Sequence, residues 1–129
     1  TSLDQVLDHA GIMDLRSICR QVLVAQHVRD YAVDMVIATQ PGTSGAHELA
    51  NRYIRYGSSP RGAQALVECG RVVALMAGRL NLSIDDVRSI APAVLRHRII
   101  MNFDAHADNL TPDSILNRIL PSVRSVAAS

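Results

Sequence analysis

Apolar residues recur along this chain at the three- and four-residue spacing that puts them on one face of a helix, and turn-forming residues separate the runs. Asp8 can cap a first helix reaching about Arg20, with Ile12, Leu15, Ile18 or Cys19, and Val22 on its apolar face. A kink or short break is expected near Leu23-Val24. The second helix, about Gln26 to Thr39, carries Val28, Tyr31, Ala32, Met35, Val36 and Thr39 in one register, so Tyr31 and Met35 read as core. Gln40-Pro41-Gly42-Thr43-Ser44-Gly45 breaks it and reads as an exposed loop. Residues 46–57 show no clear period, although Glu48 to Ile54 has room for one or two helical turns.

Ser59 then stands as a cap in front of Pro60, whose fixed φ suits the first position of a helix. The face of that helix is Ala63, Leu66, Val67, Gly70, Val73, Ala74 and Ala77, and its small residues would let a second helix approach closely. It stops at Gly78-Arg79. Ser83 caps the next helix, with Asp85 and Asp86 in its first turn and Val87, Ile90, Ala91, Val94 and Leu95 facing inward. Pro92 falls inside this run and predicts two short helices or a kink. Arg98 to Phe103 is short and apolar enough to be extended. Thr111-Pro112-Asp113 opens a last helix with Ile115, Leu116, Ile119 and Leu120 apolar, and Pro121 ends it. The pattern contains no internal repeat and predicts one all-α domain over residues 1–129, a small bundle of five or six helices.

Composition sharpens this picture. Hydrophobic residues make up 48% of the 129 and aromatics only 3%, so the core must be built from Ala, Val, Leu, Ile and Met, a mix that favours helices over sheets. The net charge is +1, which gives no electrostatic basis for binding nucleic acid or a membrane surface and counts against a helix-turn-helix DNA binder. No apolar run approaches the ~18 residues of a membrane span. All 13 basic residues are arginine, so a P-loop lysine and Schiff-base chemistry are both excluded within this chain. Cys19 and Cys69 sit at helical apolar positions without metal-ligand spacing, the pattern of reduced core thiols in a cytoplasmic protein. Because the chain begins at Thr1, it is expected to be part of a longer protein.

One residue breaks a rule. Arg61 stands in the first turn of the Pro60 helix, where the macrodipole disfavours a cation by roughly 0.3–1 kcal/mol. Rule-breaking residues tend to mark function. Free backbone N–H groups together with a guanidinium make an anion site, and phosphate is the usual occupant. The plainer alternative is a solvated or ion-paired surface arginine.

The order of elements carries a resemblance. A helix ends in Ile37-Ala38-Thr39-Gln40; then come Gly57-Ser58-Ser59-Pro60-Arg61-Gly62, Leu82-Ser83-Ile84-Asp85-Asp86-Val87 and Ala91-Pro92-Ala93-Val94-Leu95-Arg96-His97-Arg98-Ile99. Together these resemble the C-terminal lid domain of MoxR-type AAA+ ATPases, relatives of the magnesium chelatase ATPase subunit, over roughly Asp8 to Val123. The resemblance implies that Arg61 is the sensor 2 residue reaching the phosphates of bound ATP, with Ser59 and Pro60 shaping the helix start beneath it. It implies ATP and Mg2+ as ligands of a parent protein, an upstream α/β core with the P-loop and acidic metal-binding strand that this chain lacks, and a homo-oligomeric, hexameric ring. It also implies a bacterial or archaeal chaperone-like ATPase that matures protein complexes or inserts metal cofactors, beside von Willebrand factor A domain partners. This chain alone is expected not to hydrolyse ATP. Gln40 departs from the pattern, standing where the family commonly has arginine, and Ser58 and Gly62 replace the more usual alanines.

Other candidates are weaker. Arg96 and Arg98 read equally as contacts to the core or a neighbouring subunit and as a solvated helix end. His97 has no second ligand at helical spacing, and Asp104-Ala105-His106-Ala107-Asp108 lacks the glycine and glutamate of an EF-hand, so no metal site is expected and this stretch reads as a polar loop. Arg52, Tyr53, Arg55 and Tyr56 form a basic-aromatic cluster that reads as a solvated amphipathic turn, with adenine or an adjacent subunit as the functional alternative. The competing reading of the whole chain is a stand-alone helical protein-protein interaction module.

Overall fold

Within residues 2–125, which the computed structural model describes, the chain forms seven α-helices, five of them started by a capping side chain. They are α1 (His9–Arg20), α2 (Gln26–Ala38), α3 (Glu48–Tyr53), α4 (Pro60–Met76), α5 (Ile84–Leu95), α6 (Phe103–Ala107) and α7 (Pro112–Ile119), the last running into a 3-10 turn at Leu120–Ser122. Two short strands, β1 (Ile54–Tyr56) and β2 (Ile100–Met101), pair antiparallel. The all-α expectation holds with seven helices in place of five or six.

Local chemistry explains the boundaries. The Asp8 carboxylate accepts the Gly11 N–H at 2.7 Å and starts α1. Ser83 with Asp86, and Thr111 with Ser114, form reciprocal capping boxes at α5 and α7. α4 ends in a Schellman turn: Gly78 takes φ +77°, its N–H donates to the Leu75 carbonyl, and the Arg79 N–H donates to the Ala74 carbonyl, both at 2.9 Å. Arg79 then forks onto the Asp86 carboxylate at 2.7 and 2.6 Å, pinning the end of α4 to the start of α5.

α4 is the central element and packs on α1, α2 and α5. Its buried stripe is Gly62, Leu66, Val67, Gly70 and Ala74. At Gly70 a Cβ would lie 2.7 Å from Leu82 Cδ1 and 3.6 Å from Val87 Cγ2, so the missing side chain is what lets α5 close on α4. α2 supplies Tyr31 and Met35, at 1% and 0% exposure, to the same core, and α7 supplies Ile115, Leu116 and Ile119. The break after α1 is fixed by a parallel bridge, with the Leu23 N–H donating to Leu80 and its carbonyl accepting from Leu82.

Three expectations are corrected, for Pro92, for Asp104–Asp108 and for the two cysteines. α5 runs through Pro92 without a break; the proline lies in the last turn, where its missing N–H costs one hydrogen bond while buried Ala91, Val94 and Leu95 hold the helix on the core. The Asp104–Asp108 stretch is largely helical, because Asn102 caps α6 by accepting the Ala105 N–H. The apolar face of α1 is not core: Ile12, Leu15 and Ile18 are 49%, 46% and 41% exposed, although Val22 beyond the helix is buried. Cys19 and Cys69 are correspondingly half-buried rather than sealed, both lining a groove of about 520 Å3 between α1 and α4. Among the described residues no helix is long and apolar enough to cross a membrane.

Candidate functional site

The start of α4 is built from the end of α2. Thr39, fully buried, donates its hydroxyl to the Val36 carbonyl at 2.7 Å and accepts the Ser58 N–H at 3.1 Å. Gln40 follows and donates its side-chain N–H to the Ser58 carbonyl. The two segments touch so closely that a Cβ on Gly57 would lie 2.6 Å from the Thr39 carbonyl carbon and 2.9 Å from the Gln40 Cα. Gly62 is equally constrained: a Cβ there would collide with Ser58 Oγ and come within 3.3 Å of Leu95 Cδ2. The two residues that depart from the family's alanines, Ser58 and Gly62, therefore fit each other.

Arg61 projects from this platform. It is exposed, and among the described residues its guanidinium makes no hydrogen bond or ion pair. Ser59 occupies the cap position with φ −70° and ψ 169°, and Pro60 takes the first helical position, as expected. The Ser59 hydroxyl, however, makes no cap hydrogen bond, which corrects its expected capping role. The physical reason is that the donor it would take, the Gly62 N–H, already reaches the Ser59 carbonyl at 2.8 Å. The first turn of α4 thus carries neither an acidic residue nor a side-chain cap bond to offset its positive end.

Because α4 and α5 pack with Gly62 beside Leu95, the end of α5 lies at the same end of the domain as the start of α4. The Arg96-His97-Arg98 run follows directly. Arg96 Nε lies 3.2 Å from Asp113 Oδ1, an ion-pair distance, while its N–H is directed at the Pro92 carbonyl at 3.3 Å. Arg98 is half-buried, with Nε sealed from solvent and without a hydrogen-bond partner among the described residues, and His97 is exposed. Among the described residues no three metal-type side chains group together.

The basic-aromatic cluster divides in two. Tyr53 is buried and donates its hydroxyl to Asp108 Oδ2 at 2.9 Å; that bond, with burial, holds its phenol above the ordinary value. Arg52 lies 4.9 Å over the Tyr53 ring. Tyr56, 57% exposed, carries Arg55 at 5.2 Å and pairs across the sheet with Ile100. What sequence reasoning missed is the pair Thr39 and Ser58. Thr39 fits the apolar register of α2, so its hydroxyl gives no signal of its own, and its partner lies 19 residues away.

The arrangement is one always-charged, planar donor on an uncapped helix start, held from beneath and open to solvent, a chemistry that suits an anion. The AAA lid domain model matches residues 46–119. The chain is 32% identical over 120 residues to the chaperone MoxR1 of Mycobacterium tuberculosis, covering 92% of this chain and 32% of the relative. It is 29% identical over 119 residues to the protein MoxR of Methylorubrum extorquens, covering 82% of this chain and 35% of that one. A crystal structure of a Cytophaga hutchinsonii protein assigned as an ATPase superposes with a TM-score of 0.84 at 26% identity, covering 91% of this chain and 36% of that one. The chain thus spans about a third of the length of the relatives it matches. It belongs to the AAA lid domain family, in its MoxR-type branch.

Proposed function

We propose that this chain is the lid of a ring-forming, chaperone-like AAA+ ATPase and that Arg61 is its sensor 2 residue, contacting the phosphates of ATP bound to a core outside this chain. The observation that carries the reading is the exposed guanidinium of Arg61, unpaired among the described residues, on an uncapped helix start. A charge-assisted hydrogen bond is worth about 1.5–3 kcal/mol, which biases a lid between open and closed roughly 10- to 150-fold. Arg61 binds and orients phosphate in this scheme; hydrolysis and the Mg2+ site belong to the core, which supplies the P-loop absent here. Arg96 and Arg98, at the same end of the domain, would face that core or the neighbouring subunit. The name of one relative, a chaperone, supports a chaperone-like role; a cytoplasmic location follows from the family resemblance alone. Maturation of protein complexes or insertion of a metal cofactor, beside von Willebrand factor A domain partners, follows from the family resemblance.

The test is Arg61→Ala in the full-length ATPase. We expect turnover or nucleotide-driven assembly to fall by at least ~10-fold, the loss of one charge-assisted bond, while the thermal midpoint holds. Turnover and assembly at the unaltered level would refute the sensor role. A stand-alone interaction module is the second reading, favoured only by the open apolar face of α1. It predicts that the 129-residue chain captures its partner without any ATPase core.

A further inference from the structure

We infer that Thr39 and Gln40 are positioning residues that hold Arg61 in register with α2. The inference rests on the sensor reading above and adds what fixes the arginine. Ser58 lies three residues before Arg61, and both faces of its backbone are held by neighbours in space: its N–H by Thr39 Oγ1 at 3.1 Å, its carbonyl by the side-chain N–H of Gln40. Thr39 is itself anchored, because the same hydroxyl donates to the Val36 carbonyl at 2.7 Å. That hydroxyl therefore uses its hydrogen and a lone pair in opposite directions, one into α2 and one into the loop.

Gly57 closes the contact. The backbone of residues 39 and 40 occupies the space a side chain at 57 would need. The local bonds here all end on one atom, the Ser59 carbonyl, which accepts the Ser58 hydroxyl at 3.1 Å and the Gly62 N–H at 2.8 Å, while the Ser59 hydroxyl caps nothing. The direction in which α4 starts, and hence where Arg61 is aimed, is set by a clamp from an element 18 to 19 residues earlier in the chain. Any shift of the last turn of α2 is carried to Arg61 through two hydrogen bonds and a backbone contact. Burial makes the clamp stiff: Thr39 and Ser58 are both 0% exposed, so water does not substitute for either partner.

The experiment uses the full-length ATPase with ATP as the probe, comparing Thr39→Val, Thr39→Ser and Gln40→Glu with Arg61→Ala. Valine keeps the shape and removes the hydroxyl; serine keeps the hydroxyl; glutamate sets an acceptor against the Ser58 carbonyl. We expect Thr39→Val and Gln40→Glu to lower kcat/KM by at least ~5-fold, in the range of one hydrogen bond. Thr39→Ser should stay within about twofold of the parent. A merely structural lesion would multiply with Arg61→Ala, whereas a residue acting through Arg61 adds less than about twofold once Arg61 is gone. Hydrogen exchange of the Ser58 amide gives a readout independent of turnover: protection should fall in Thr39→Val and persist in Thr39→Ser. If Thr39→Val does not fold, Gln40→Glu, at a half-buried site, carries the same comparison. The inference is overturned if Arg61→Ala impairs turnover while Gln40→Glu and Thr39→Val leave it intact, or if the double variants are multiplicatively worse. If Arg61→Ala alone changes nothing, the sensor reading itself has failed, and exchange at Ser58 then reports a structural clamp only.

Discussion

Asp86→Asn tests how the α4–α5 turn is held. The Asp86 carboxylate accepts two hydrogen bonds from Arg79, at 2.7 and 2.6 Å, and one from the Ser83 N–H at 2.9 Å, with the side chain only 5% exposed. The Arg79 bonds, aided by Ser83 and opposed by burial, lower its pKa from 3.8 to about 2. At ~1.4 kcal/mol per unit, that difference corresponds to about 2.5 kcal/mol of linkage. Arg79 is 44% exposed, so water screens part of the interaction. A cost of about 1–2 kcal/mol at neutral pH is the better expectation. Asparagine keeps the shape and an acceptor oxygen, so the difference reports the charge.

The pH dependence fixes the sign. A group whose pKa is lowered on folding contributes its stability above the unfolded value, and that contribution is lost as the pH falls through the folded value. The gap between parent and Asp86→Asn should therefore be constant from pH 7 to about 5, shrink below ~4, and largely vanish near pH 2. Urea unfolding at pH 7, 5, 3 and 2 measures it, with unchanged m-values confirming that the same surface is exposed. An equal gap at pH 2 and pH 7 would refute the ionic account and leave the capping geometry as the cause. No gap at pH 7 would mean that screening consumes the whole interaction.

Two further outcomes follow from the packing. Gly70→Ala should destabilise by about 1–3 kcal/mol in denaturant unfolding, since Leu82 must shift from a 2.7 Å contact; this outweighs the ~1 kcal/mol gain in helix propensity, and a stabilised variant would show that the α4–α5 seam is loose. Spectrophotometric titration should show a component ionising above the ordinary tyrosine range, and Tyr53→Phe should remove it; its persistence would refute the assignment to Tyr53.

The helix starts at Asp8, Ser83 and Thr111, and the stop at Gly78, were legible because each is decided within four residues by a side-chain oxygen or a positive φ. What escaped has one physical cause: it depends on partners far along the chain. The extended stretch within Arg98–Phe103 was legible and holds β2, but β1 is only three residues long, too short for an alternating pattern, and the pairing exists because residues 54–56 meet residues 100–101. α6 buries only Ala105, so no period marks it. The face of α1 was read correctly as apolar, but periodicity tells which side is apolar, never what covers it. Ser59 shows the same limit at the site. The residue type and position were right for a cap, and the backbone geometry of the first turn gave the donor to a carbonyl instead.

Arg61 itself was legible for the opposite reason: it contradicts its local setting. A guanidinium on an uncapped helix start raises the positive potential there, and the fold offers it no counter-charge among the described residues. In the isolated domain its removal should be neutral to slightly stabilising. An anion reverses that balance, because the helix dipole and the guanidinium then act with one sign. A clamp on Ser58 matters only under the second condition. A rigidly aimed arginine gains nothing in an empty lid, where solvent accommodates any direction. It gains when a phosphate has to be met at one place, since the ordering of the loop has already been met by burying Thr39 and Ser58.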